Sequence, residues 1–170
     1  MKLKTSEICV YGILGALTFV LKIIMSPLPN IEPVSLLTIV YAIVFGMKAI
    51  YPISIYIALE ILLYGLGVWS IGYLYVWFVL IFVVICVHNT IHSTNALLWA
   101  IISGAYGLFM GALYIPLYVI TGNVAFAITW WVSGIPYDIV HCISNFILCI
   151  LLFKPIMSAI SKFTKQYKIN

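Results

Sequence analysis

Between Ile8 and Ile156 the chain carries only six formal charges: Lys22, Glu32, Lys48, Glu60, Asp138 and Lys154. Six apolar runs can be marked, at roughly 8–26, 33–47, 50–66, 71–87, 96–120 and 132–156. A membrane-spanning helix needs about 20 apolar residues, with a range of roughly 17–25. A soluble domain has about 25% charged residues; this chain has 7%, with 65% hydrophobic residues and a mean hydropathy of +1.23. The expectation is an all-α integral membrane protein. Its 170 residues form one six-helix membrane domain, with no room for a separate soluble unit. The second run is short, and the third and fourth lie near the lower limit for a span.

Lysine placement orients the spans. Lys2 and Lys4 precede the first, Lys48 lies between the second and third, and Lys154, Lys162, Lys165 and Lys168 follow the last. With six spans these seven fall on one side and only Lys22 lies toward the other, so both termini are expected in the cytoplasm. Two lysines and a long apolar run without a small-residue cleavage site read as a retained first span. The outer side then receives segments 27–32, 67–70 and 121–131. The net charge of +4 comes from dispersed lysines with no Arg, which excludes a nucleic-acid surface and argues against bidentate phosphate recognition. Cys9, Cys86, Cys142 and Cys149 lie in apolar runs without a CxxC pair, so buried free thiols are expected.

The last run holds the clearest functional signal. On a helical wheel Asp138, His141 and Asn145 fall within about 60° of one another. Such a stripe is costly against lipid and is expected to face protein or a watery cavity. The last span starts near Trp130, or at Pro136 as a first-turn proline; in the second case Asp138 lies in its first turn, where free N–H groups favour an acid. Asn145 would then lie roughly 13 Å below Pro136. Glu32, before Pro33, reads either as a helix-start acid or as a contact that closes over an external site with Asn30. Glu60, mid-run, reads as half of an interhelical pair or as a ligand contact. Trp69, Tyr73, Trp77 and Tyr114 are aromatic candidates for ligand contact, interfacial anchoring or packing.

Two further patterns are weaker. His88 and His92 have the i, i+4 spacing of a zincin helix, but Asn89 stands where the general-base Glu belongs, and the expected reading is an ordinary loop. Gly12, Gly15 and Ala16 form a small-residue face on the first run, as do Gly104, Gly107 and Gly111 on the fifth; such faces serve packing within the chain or docking of a partner helix. No nucleophile elbow, Walker motif, zincin signature or dinucleotide glycine motif occurs. Uphill transport would need energy from a partner or an ion gradient. No cofactor or metal is expected.

Three segments resemble the substrate-binding (S) components of energy-coupling factor (ECF) vitamin transporters. They are Tyr11-Gly12-Ile13-Leu14-Gly15-Ala16-Leu17-Thr18-Phe19-Val20-Leu21, Pro29-Asn30-Ile31-Glu32-Pro33-Val34-Ser35-Leu36-Leu37, and Gly134-Ile135-Pro136-Tyr137-Asp138-Ile139-Val140-His141 with Asn145-Phe146. Length and the six expected spans extend the resemblance over nearly the whole chain. Gly12 replaces the first Ala of the family's usual Ala-x-x-x-Ala. The resemblance implies a non-enzymatic subunit of a bacterial cell membrane that captures a small water-soluble vitamin or precursor at the outer face. It implies partners: a transmembrane coupling subunit, docked through Gly12, Gly15 and Ala16, and two cytoplasmic ATPases. It also implies a ligand site in the outer half, under the first outer loop and among spans four to six. The expected contacts are Asp138, His141, Asn145, Glu32 and Asn30, with Glu60 and the four aromatic residues ranked lower. The competing readings are a small intramembrane enzyme using Glu60, Asp138 and His141, and a structural subunit without a ligand.

Overall fold

The computed structural model describes residues 3–91 and 94–167. The described residues form seven α-helices: α1 (Thr5–Met25), α2 (Val34–Phe45), α3 (Ile50–Tyr64), α4 (Val68–Ile91), α5 (Ala96–Leu108), α6 (Met110–Thr121) and α7 (Val124–Gln166). A short 3-10 turn, Gly46–Ala49, joins α2 to α3. Four helical stretches are long and apolar enough to cross a membrane: Thr5–Met25, Val34–Tyr64, Val68–Ile91 and Val124–Gln166. They mark a membrane protein.

The side-chain pairings give the direction of each helix. Tyr11 packs edge-on against Phe45, and Thr18 hydrogen-bonds Tyr41, so α2 runs antiparallel to α1. Lys48 pairs with Glu7 at 2.6 Å and Lys22 with Glu60 at 2.9 Å, so α3 runs parallel to α1. The chain therefore reverses at Gly46, whose φ of 57° suits glycine, within the Val34–Tyr64 stretch. Tyr56 against Trp77, Trp99 against His88, and Phe153 against Trp99 continue the alternation through α4, α5 and α7. The bundle thus has six legs, the fifth being α5 and α6 broken at Phe109. The start of α1 and the end of α7 lie at one end, called lower here; the 26–33 loop lies at the upper end.

At 1.5 Å per residue α2 is about 18 Å long, shorter than the roughly 30 Å hydrocarbon core. It survives by being central: ten of its 12 residues are buried. The outer helices instead present apolar side chains outward, among them Ile13, Val20, Phe82 and Leu151. Cys9 and Cys86 share this outward face, contrary to the expected burial, while Cys142 is half-buried and Cys149 buried. All four are free thiols.

The last helix departs most from expectation. It starts at Val124, not at Trp130 or Pro136, with Asn123 accepting a hydrogen bond from the Phe126 N–H at 2.9 Å. Pro136 lies inside it, and Asp138 is four turns from its start. At 43 residues α7 is about 64 Å long, so it extends beyond the other legs at both ends.

Close helix contacts use glycine. A Cβ on Gly15 would lie 2.6 Å from the Pro52 carbonyl, on Gly107 2.9 Å from that of His141, and on Gly72 against the Tyr114 ring. Gly15 and the α5–α6 glycines are therefore packing residues within the chain. Gly15 is not available to a partner, whereas Gly12 has nothing within 4 Å and Ala16 is exposed.

Candidate functional site

A cavity of about 450 Å³ opens at the upper end of the bundle, among the 26–33 loop, α4, the start of α6 and the upper half of α7. Its volume lies in the range of small-molecule sites. Of the residues expected at a site, Asn30, Glu32, Trp69, Tyr73, Asp138 and His141 line it together. Pro29, Met110, Gly111, Trp130, Ser133, Gly134 and Tyr137 complete the wall. Trp130, Gly134, Tyr137, Asp138 and His141 follow helical three- and four-residue steps. That continuity disappears if the helix is started at Pro136, which is why sequence reasoning missed the upper wall.

Asp138 is held by a neighbouring helix. The break at Phe109 exposes the first N–H groups of α6, and Gly111 N–H donates to Asp138 Oδ1 at 3.2 Å. The acid therefore caps α6 rather than its own helix. Gly111 is glycine for a reason: a Cβ there would meet Oδ2 at 2.5 Å. Among the described residues Oδ2 has no hydrogen-bond partner, and neither has His141 Nε2. That imidazole nitrogen lies 3.7 Å from Glu32 Oε1, beyond hydrogen-bond length. Two buried polar groups on the cavity wall thus keep unused capacity, which is costly unless something occupies it.

The 26–33 loop is fastened to α7 through Asn30. Its φ of 58° puts the turn in the left-handed region, where Asn is tolerated. Ser144 Oγ donates to the Asn30 carbonyl at 2.8 Å, and Asn30 Nδ2 donates to the Tyr137 carbonyl at 3.4 Å. Glu32 follows and points back toward His141. Burial pushes its carboxyl up to about 7; Lys22 opposes this shift and Glu60 adds to it.

Four expected contacts sit elsewhere. Asn145, 1% exposed, lies below the cavity and donates from Nδ2 to Ser35 Oγ at 3.0 Å and to the Ser103 carbonyl at 3.3 Å, tying α7 to α2 and α5. Glu60 is taken by Lys22, whose amine also lies 4.8 Å over the Tyr64 ring. Trp77 is a core residue packed on Tyr56 and Tyr106. Tyr114 is fully buried behind Trp69 and donates to its carbonyl at 3.1 Å. The stripe on α7 therefore divides: Asp138 and His141 face the cavity and Asn145 faces the core.

Among the described residues no three His, Cys, Asp or Glu side chains gather as metal ligands. His88 packs near Trp99; His92, Lys2 and Lys168 lie outside the described residues. Comparison with family models, with curated proteins and with solved structures finds no match for the chain.

Proposed function

We propose that the protein is the solute-capturing subunit of a bacterial membrane transporter of the ECF type, in which all six legs of the bundle span the membrane. The lysine-bearing lower end faces the cytoplasm by the positive-inside rule, and the cavity opens to the outside. The observation that carries this reading is the cavity itself. It is sized for a small molecule, closed on one side by a tethered loop, and edged by Asp138 and His141 atoms without hydrogen-bond partners among the described residues. The solute is a small water-soluble vitamin or precursor, and the subunit performs no chemistry on it. Energy comes from partners: a membrane coupling subunit and two cytoplasmic ATPases. The open Gly12 and Ala16 positions on α1, flanked by exposed Ile13, Leu17 and Val20, give the coupling helix a close approach.

The test is to purify the protein alone and identify any co-purifying small molecule by mass spectrometry. His141→Ala is expected to weaken its binding by roughly tenfold or more, about 1.4 kcal/mol, with the fold retained. Unchanged affinity in a folded variant counts against the site.

A further inference from the structure

The cavity has a charge character of its own. Three of the four acids in the chain, Glu32, Glu60 and Asp138, lie at the upper end of the bundle against one lysine, Lys22. Lys22 is already committed: its amine contacts Glu60 at 2.9 Å, and it borders an adjoining hollow that shares Glu32, Trp69 and Tyr73 with the cavity. No Lys is among the cavity-lining residues. Glu32 and Asp138 therefore face the cavity from two walls, the loop and α7, and the one lysine beside Glu32 is engaged by Glu60.

The rest of the wall suits the same kind of occupant. Trp69, Tyr73, Trp130 and Tyr137 bring aromatic rings to the cavity, and the faces of such rings attract cations. The independent sign that a ligand belongs here is that, of the buried side-chain atoms without a hydrogen-bond partner among the described residues, two lie on the cavity wall; others, such as Glu60 Oε1 and Asn145 Oδ1, lie away from it. Asp138 is 8% exposed and His141 5%, and each keeps one polar atom unsatisfied.

We infer that the cavity takes an organic cation: a one- or two-ring heterocycle with a quaternary or protonated nitrogen that lies between the Glu32 and Asp138 carboxylates and against the aromatic wall. This rests on the capture reading and narrows it, since a cation supplies both carboxylates with a counter-charge that a neutral or anionic vitamin does not.

The full-length protein in lipid nanodiscs tests it by tryptophan fluorescence, since Trp69 and Trp130 line the cavity. The probes are thiamine and ring-N-methylated nicotinamide as cations, nicotinamide as the uncharged analogue of the second, and biotin and pantothenate as anions. The cations are expected to bind roughly tenfold or more tighter than nicotinamide and the anions. Glu32→Gln and Asp138→Asn should each remove about that factor for the cations and leave nicotinamide unchanged. Asn retains an oxygen for the Gly111 N–H, so loss of the helix cap does not explain the result. Tightest binding by nicotinamide or an anion, or an equal loss for charged and neutral probes in either variant, overturns the inference. A co-purifying neutral or anionic molecule sinks the cation assignment and leaves the capture reading standing. A folded protein that holds no co-purifying molecule and binds no probe sinks both.

Discussion

Glu32 shows how position changes what a side chain can do. As a sequence feature it is an acid before a proline, suited to a helix start. In the fold it sits on the 26–33 loop, half-buried, 3.7 Å from His141, with Lys22 and Glu60 behind it and Asp138 across the cavity. Burial raises its pKa from the usual 4.5 to about 7. The folded state thus holds a proton that the unfolded state releases between those values. Its stabilising contribution is complete below pH 4.5 and is lost as pH rises through about 7. Binding of a cation has the opposite sense, because the cation competes with that proton. Affinity for a cationic ligand should rise as pH increases through about 7 and then level off, and Glu32→Gln should flatten this part of the profile. A titration of affinity against pH in both proteins checks it; a slope retained in the variant assigns the titration to another group. Asp138 also gained a role that the sequence had assigned to the wrong helix. The reading that it holds a helix start was sound in kind, but the helix is α6.

At the scale of elements, α1 separates two uses of small residues that the sequence leaves undistinguished. Gly15 lies against the Pro52 carbonyl and Ile55, and backbone cannot move aside as a flexible side chain does. Gly12 faces open space. Gly15→Ala should destabilise the isolated protein by about 1–3 kcal/mol through overpacking, seen as a lower thermal midpoint in detergent. Gly12→Leu should leave that midpoint unchanged and weaken assembly with a coupling subunit, read by co-purification. Normal assembly with Gly12→Leu would remove this face from consideration as the docking surface. Helix boundaries failed most at α7, because proline is treated as a helix starter whereas here it lies inside a long helix. The flanks of Pro136 are well supported: above it the helix packs Trp130 on Tyr118 with ring centroids 4.1 Å apart, and below it Asp138 and His141 lie against Gly111 and Gly107.

For the whole molecule, two ion pairs clamp α1 to the parallel α3, Lys48 with Glu7 near the lower end and Lys22 with Glu60 near the upper. Each partner offsets the cost of placing the other in an apolar setting. The six-leg course of the bundle has a direct test. In a background lacking the four native cysteines, a cysteine at position 66 should react with an impermeant thiol reagent added outside intact cells. One at position 162 should react only after the membrane is opened. Labelling of both from the same side would overturn the six-spanning orientation, and with it an outward-facing cavity.

Composition and apolar run length are enough to make the protein helical and membrane-embedded, because 65% hydrophobic and 7% charged residues leave few alternatives. The sequence also marked Asp138 and His141, since acids and imidazoles in an apolar run are too costly to be placed without a partner, and Glu32 with Asn30 as a loop that could close over an external site. Only the tertiary structure decided which of the marked residues meet. Glu60 and Asn145 carry the same sequence signal as Glu32 and His141, yet they bond to Lys22, Ser35 and Ser103 and sit away from the cavity, each with one oxygen left without a hydrogen bond among the described residues. Whether a buried polar atom finds its partner in the protein or is left facing a cavity depends on contacts 38 to 110 residues apart in the chain, and helical periodicity reports only on neighbours a few residues away.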